Sequence, residues 1–329
     1  MSQEYSLLAI LNDGRSHPKA ELAAQLGDAS QAAVGALVQR LLAQGIDIRA
    51  VDGGGGYRLA EPLELLDESL IDAALDDAAR PFVSRLEVHR QLGSTNTYLM
   101  GRAKAGLGSG AVCFAEWQAA GRGRLGRSWQ SPFGAQLAVS LLWRFNADPG
   151  ALSSLSLTAG AAVARALESL GVPQVGLKWP NDLLWRRRKL AGILPELGVD
   201  PAGGCYVVTG LGLNVALPVS VASAIDQPWI DLRGILGSGR IPRNRLAARI
   251  VSELVTTFRL YERCGFEAFR REWDRFDCVA GQRVTLKRPN GSVTGIARGV
   301  DGTGALLLET TGDQVKAFMA GEISLRFEA

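Results

Sequence analysis

Residues 121 to 127 run Gly121-Arg122-Gly123-Arg124-Leu125-Gly126-Arg127, and about fifty residues later come Lys178-Trp179-Pro180-Asn181-Asp182 and Lys189-Leu190-Ala191-Gly192. Glycines supply flexible backbone, and the interleaved arginines with Lys178 and Lys189 supply concentrated positive charge beside polar and aromatic groups. This combination suits a site for a phosphate-bearing nucleotide and points to an enzyme. The loop lacks the Gly-x-x-x-x-Gly-Lys-Ser/Thr spacing of a P-loop, and no Gly-x-Gly-x-x-Gly opens a helix after a strand, so neither that ATPase class nor an NAD enzyme is supported. The reading that remains is a glycine loop, mobile when empty, whose arginines fold over an anion. A solvated basic turn and an RNA-binding stretch are the alternatives. Trp129, Ser131 and Pro132 then form a rigid wall beside it. Ser94-Thr95-Asn96 reads first as a helix cap, with a small polar ligand as the second reading. Gln118, at the end of an apolar strand, carries a carboxamide that can donate and accept beside the loop. Gly210-Leu211-Gly212-Leu213-Asn214 offers close backbone approach, or else a tight turn that closes a strand.

These groups need a scaffold. Strands are expected at 111–115, 137–142, 176–179, 183–185, 190–196 and 205–211, and long helices at 155–170 and 245–261. Strands broken by only two evident long helices predict an α+β layer for residues 82–273. Before it, residues 1–62 read as three short helices and a hairpin, which is a winged helix-turn-helix. Its third helix is capped from the Asp28 to Ser30 segment and carries Val34, Leu37, Val38 and Leu41 on one face. The alternative is a small helical docking module. Residues 63–81 form an acidic connector read as a solvated linker helix. Beyond 273, strands at 283–286, 295–300, 305–309 and 322–326 separated by glycine turns predict a small SH3-like β-barrel.

Composition narrows the class. The chain has 329 residues, 47% of them hydrophobic, enough for a full core and two or three domains. No stretch reads as a membrane span and no secretory signal opens the chain, so the expected setting is cytoplasmic with no membrane partner. Cys113, Cys205, Cys264 and Cys278 share no metal-ligand spacing and read as reduced, mostly buried thiols. A net charge of +3 implies no polyanionic partner by itself. Residues 1–62 are slightly acidic, and the third helix offers only Gln31, Gln39 and Arg40 as long polar readers of DNA, so a monomer should bind an operator weakly and a pair of modules better.

Taken together, Ser94-Thr95-Asn96, Gln118 to Arg124, Trp129, Ser131-Pro132-Phe133-Gly134, Lys178 to Asp182, Lys189 to Leu194 and Gly210 to Asn214 resemble biotin protein ligase of the bifunctional bacterial type, both biotin-[acetyl-CoA-carboxylase] ligase and biotin operon repressor. The resemblance covers essentially the whole chain. It implies a winged helix, a catalytic domain related to class II aminoacyl-tRNA synthetases and lipoate ligases, and an SH3-like carboxy-terminal domain. It also implies a two-step reaction in which biotin and ATP, with Mg2+, form biotinyl-5'-AMP, and biotin then passes to a lysine of biotin carboxyl carrier protein. The adenylate would act as corepressor by promoting a homodimer that binds biotin operator DNA. By the same resemblance Ser94, Thr95 and Gln118 face the biotin ureido group, Asn96 belongs to the ligand-binding set, and Gly121, Gly210 and Gly212 permit close backbone contact. Asn214 and Lys178 complete the ligand-binding set, and Lys189, Arg122 and Arg124 oppose phosphoryl charge. Trp129 stacks on adenine or packs on Pro132. Asn181 and Asp182 hold magnesium or orient the triphosphate, and Asp182 is a candidate base for the second step.

Three features depart from the family pattern. Pro195 follows Ile193-Leu194, Trp117 precedes Gln118, and Arg186-Arg187-Arg188 adds charge beside Lys189 as a nucleotide aid or a solvated hairpin tip. The alternatives are a lipoate-protein ligase, a monofunctional ligase whose amino-terminal domain does not repress, a ligand-sensing repressor without catalysis, and a structural or interaction protein.

Overall fold

A computed structural model describes residues 3–27, 29–61, 63–200, 204–218, 225–237, 241–310, 312, 314–321 and 323–328. Asp28 and Glu322, assigned from sequence to a helix cap and a strand, lie outside the described residues. The amino-terminal unit comprises α1 (Gln3–Leu11), β1 (His17–Pro18), α2 (Lys19–Gln25), α3 (Gln31–Ala43), β2 (Ile48–Val51) and β3 (Gly56–Leu59). Ser30 caps α3, its Oγ accepting from the Ala33 N–H at 3.1 Å. The apolar face of α3 closes on Leu7, Leu8 and Leu11 of α1 and Leu22 of α2 in one core. The two-residue strand β1, too short for a periodic signal, adds to the wing to give the sheet order β1-β3-β2.

The connector is not solvated. Its helix α4 spans only Glu68–Ala73, and Leu66, Ile71, Leu75 and Ala79 are buried in the central core, while Asp67, Glu68, Asp72, Asp76 and Asp77 are exposed. Charge counting hid a helical apolar stripe.

The central unit is a seven-stranded sheet made from β4 (Arg85–Leu92), β5 (Ala111–Gln118), β6 (Gln136–Phe145), β7 (Val175–Lys178), β8 (Asp182–Trp185), β9 (Arg188–Val199) and β10 (Cys205–Asn214). The order is β4-β5-β6-β10-β9-β8-β7, antiparallel except for the β4 and β5 pair. Helices α6 (Leu155–Ser169) and α8 (Arg243–Cys264) cover one face, α8 through Leu246, Ile250, Leu254 and Phe258 at helical spacing. Between them in sequence lies the short α7 (Leu232–Leu236), and α9 (Arg270–Phe276) follows α8. Helix α5 (Thr95–Lys104) covers the opposite face over a smaller cluster with Leu99, Ala103, Leu142 and Val208.

Segment 149–169 corrects the expectation that nothing approaches a membrane span. It is long and apolar enough by length and composition, but 78% of its apolar window is buried in the protein core. Cys113 and Cys205 are buried as expected, whereas Cys264 is exposed at the end of α8.

The carboxy-terminal unit has five strands rather than four: β11 (Arg283–Arg288), β12 (Gly291–Val300), β13 (Leu306–Thr310), β14 (Gln314–Phe318) and β15 (Ser324–Phe327), in the antiparallel order β14-β13-β12-β11-β15. Strand β14 is mostly exposed and edge-lying, so it lacks the apolar alternation that marks the others. Val284, Leu286, Leu306 and Leu308 share the central core, so this unit packs on the central layer rather than standing apart.

Candidate active site

The floor of the site is set by glycines inside β10, not by a closing turn. A Cβ on Gly210 would lie 2.3 Å from Asn96 Oδ1, and one on Gly212 would lie 2.4 Å from Trp129 Cε2. Absent side chains at these two strand positions let Asn96 and Trp129 lie directly on the sheet. Gly121 serves the same end, since a Cβ there would meet the Trp129 carbonyl oxygen at 2.5 Å.

One end of the cleft is a polar network. Gln118 Oε1 accepts from the Thr95 N–H at 2.9 Å, and Ser140 Oγ lies 2.7 Å from Thr95 Oγ1 and 2.6 Å from Asn96 Oδ1. Asn96 Nδ2 donates to the Leu194 carbonyl at 3.0 Å and to Glu196 at 2.7 Å. Arg122 reaches across to the same Glu196 carboxylate at 2.6 and 2.9 Å. Ser94 stands at the N-cap position of α5 but makes no side-chain cap bond, which leaves its buried hydroxyl lining the cleft. The cap reading of that residue is thereby corrected.

The other end is charged. Lys189 Nζ lies 2.7 Å from Asp182 Oδ1, and Lys178 Nζ lies 3.7 Å from Oδ2. Burial raises the Asp182 carboxyl, but the two ammonium groups and the Lys189 hydrogen bond outweigh it and hold the group below the usual aspartate value. Burial also lowers Lys178, against the opposing pull of Asp182. Asn181 has both amide atoms engaged, its Oδ1 accepting from Arg124 at 3.2 Å and its Nδ2 donating to the Ile193 carbonyl at 2.8 Å. No group of three or more His, Cys, Asp or Glu able to hold a metal occurs among the described residues. Asp182 is a single carboxylate whose oxygens both face ammonium groups, and Asn181 is engaged, so a magnesium ion beside them would draw most of its oxygen ligands from phosphates and water.

The glycine and arginine loop is tied down at several points. Gly123 N–H donates to the Arg127 carbonyl at 2.7 Å, and Trp129 N–H donates to the Gly121 carbonyl at 2.8 Å. Arg124 Nη2 donates to the carbonyls of Ala320, Gly321 and Ile323 at 3.0, 2.7 and 3.3 Å, which fastens the loop to the carboxy-terminal unit.

Trp129 divides the space. On one side an open cleft is lined by Ser94, Thr95, Gln118 and Gly210; on the other a larger open chamber is lined by Gln136, Asn214 and Arg187. Lys178, Asp182 and Lys189 border both. The indole N–H donates to Gln136 Oε1 at 2.8 Å, Gln136 Nε2 donates to Asn214 Oδ1 at 3.0 Å, and Asn214 Nδ2 is anchored on the Ile230 carbonyl at 3.0 Å. The Lys189 ammonium sits 5.3 Å from the centre of the Trp129 ring.

A narrow polar cleft and a wide basic chamber meeting at Lys178, Asp182 and Lys189 is an arrangement for joining two anionic molecules. Sequence comparison agrees in kind. Residues 88–214 match the biotin/lipoate A/B protein ligase family, and residues 279–326 match the biotin protein ligase C-terminal domain. The chain is 41% identical to the bifunctional ligase/repressor BirA of Escherichia coli over 97% of its length and 96% of the relative's, and 40% identical to that of Salmonella typhimurium over 98% and 97%. The chain belongs to the bifunctional biotin ligase/repressor family. A biotin protein ligase from Aquifex aeolicus in complex with biotin and ATP has the same fold over 74% of this chain and all of that one, with a TM-score of 0.64 and 27% identity.

Measured against that family membership, the structure gathers Ser94, Thr95, Asn96, Gln118, Arg122, Arg124, Trp129, Lys178, Asn181, Asp182, Lys189, Gly210 and Gly212 around one cleft, with Gly121 beneath the loop and Asn214 in the second chamber. Gln136, Ser140 and Glu196 complete it and were missed. Gln136 and Ser140 carried a signal, since they are the polar interruptions of the apolar run 136–142. Glu196 carried none, because it reads as an ordinary surface residue of a strand.

Proposed function

We propose that this protein forms biotinyl-5'-AMP from biotin and ATP and transfers biotin to a lysine of biotin carboxyl carrier protein. The observation that carries the reading is Lys189, paired with Asp182 at the junction of the two chambers. The narrow cleft presents Ser94, Thr95 and Gln118 to the ureido group, and its other end brings the biotin carboxylate to Lys189. A carboxylate oxygen then bonds to the α-phosphorus as the bond to the β-phosphate breaks and pyrophosphate leaves. Lys189 and Lys178 oppose the charge that builds on the phosphoryl oxygens. Both Asp182 oxygens face ammonium groups and Asn181 is engaged, so magnesium, which would neutralise phosphate charge, would be held mainly by the ATP phosphates. In the second step the neutral carrier amine attacks the adenylate carbonyl, the C–N bond forms as the bond to the phosphate oxygen breaks, AMP leaves, and the amine's proton passes to solvent. The lowered pKa of Asp182 suits an ionised partner that orients Lys189 better than it suits a proton acceptor.

Repression by an adenylate-bound homodimer is the second part of the proposal. Strand β9 continues past β8, so residues 195–199 have no strand on their outer edge among the described residues, and Leu197 and Val199 are exposed there. An unpaired apolar edge of this kind favours pairing with a second copy, although Pro195 removes one donor from it. On α3, Arg40 is bound to Glu4 at 2.5 Å, which leaves Gln31 and Gln39 as the free long polar readers of operator DNA. The four unpaired thiols support a cytoplasmic setting.

The test is transfer of labelled biotin to a carrier domain with ATP and magnesium, against an ATP-free control and a lipoate competitor. ATP-dependent labelling of one lysine is expected. No labelling, or labelling only with lipoate, would overturn the reading.

A further inference from the structure

The hairpin from β8 to β9 turns through Arg186 and Arg187, and both adopt positive φ, 47° and 62°. Glycine and asparagine suit such a turn, because a Cβ in this region costs energy. Two arginines are poor turn formers, so something other than the turn holds them there. Arg186 lies 4.4 Å from the Trp185 ring and faces outward. Arg187 is exposed too but leans toward the carboxy-terminal unit. Its guanidinium lies 4.9 Å from the ring of Phe327 on β15, its Nη2 donates to Gln282 Oε1 at 2.8 Å, and it lines the wide chamber with Arg127, Lys178, Lys189 and Arg326. The acids in that lining are Asp182 and Asp226, and Asp182 already faces two lysines. The chamber therefore holds a cationic surplus. Gln282 is neutral, so its contact orients the guanidinium without cancelling its charge.

We propose that Arg187 binds the leaving group, holding the β- and γ-phosphates of ATP and then the free pyrophosphate. This rests on the ligase reading. If biotin occupies the narrow cleft and its carboxylate meets the α-phosphate at Lys189, the rest of the triphosphate extends into the wide chamber, where Arg187 waits at the hairpin tip. A planar guanidinium matches two phosphate oxygens at once. Strain at the turn is then part of a binding site rather than a defect.

The test uses the full chain with Arg187→Gly, which suits a φ of 62° and so keeps the turn, with Arg187→Ala as a second variant and Arg186→Gly as a control. Four quantities are read: KM for ATP, direct pyrophosphate binding by calorimetry, KM for biotin, and Kd for a non-hydrolysable sulfamoyl analogue of biotinyl adenylate. R187G should weaken ATP and pyrophosphate by about five- to tenfold, the loss of one charge-assisted contact, and change biotin and the analogue by less than about twofold. R186G should change none of them. Unchanged ATP and pyrophosphate, or an analogue weakened as much as ATP, would overturn the assignment. Absence of ATP-pyrophosphate exchange in the unaltered protein would instead overturn the ligase reading, and pyrophosphate binding still tests Arg187 in that case.

Discussion

Burial should push the Asp182 carboxyl up, yet Lys189 at 2.7 Å and Lys178 at 3.7 Å keep it ionised. The three groups form a charge cluster whose surplus is positive, and an incoming pair of anions is what balances it. Lys189→Met removes the ammonium nearest the junction and leaves Asp182 with one partner, so its pKa should rise. ATP-pyrophosphate exchange should fall by about 100-fold or more, while biotin affinity, measured by calorimetry, should change by less than about threefold. Normal exchange in that variant would remove Lys189 from the chemistry. At this scale the charged residues could be read from sequence because they interrupt apolar runs or sit among glycines. Gln136 was harder. Its partners Trp129 and Asn214 are seven and seventy-eight residues away, and only the fold shows that one carboxamide joins them.

Among the elements, β10 does the most to shape the site, through residues it lacks. Gly212→Ala would place a methyl 2.4 Å from Trp129 Cε2 and 2.5 Å from Nε1. The indole must leave the sheet and lose its bond to Gln136, at a cost of about 1–3 kcal/mol typical of overpacking. We expect a shift in tryptophan emission and a raised KM for ATP in this variant. Gly123→Ala in the arginine loop is the contrast, since its nearest new neighbour would be the Arg127 carbonyl oxygen at 3.6 Å, an ordinary contact. Equal effects from the two substitutions would show that the glycines of β10 are not acting as a floor. Strands β5 to β10 were readable as apolar runs because both sheet faces are covered. Helix α5 and strand β4 were not, because α5 buries only Thr95, Asn96, Leu99 and Ala103 and β4 is a half-exposed edge rich in charge. The polar residues that hid α5 are the ones that build the polar end of the cleft.

Across the whole molecule, the site depends on joints between units that no single segment announces. Phe133, eleven residues beyond Arg122, is buried in the core of the winged helix, and its N–H donates to the Gln44 carbonyl at 3.0 Å. Arg124 fastens the loop to the carboxy-terminal unit. The connector is held by a buried pair, Arg243 and Glu116, 2.7 Å apart. Arg243 also donates to the carbonyls of Glu64 at 2.6 Å and Gln136 at 2.8 Å, and Glu116 accepts from the Leu66 N–H at 2.6 Å. Three domains could be read from the sequence, but these joints lie between residues 50 to 197 positions apart and have no local pattern. Arg243→Met would strand the Glu116 carboxylate in the interior, a loss of about 3–5 kcal/mol for a broken buried pair and a fall of about 5–10 °C in Tm. It should also loosen the connector, read as faster proteolysis near residues 60–66. The double variant E116Q/R243M removes the stranded charge while keeping an acceptor for Leu66, so it should recover most of the lost Tm. If the double variant falls as far as the single one, the joint acts through the hydrogen bonds of Arg243 to the connector and β6. If neither falls, the connector is held by its buried Leu66, Ile71 and Leu75 alone, and the ion pair has no part in fixing the winged helix beside the ligand loop.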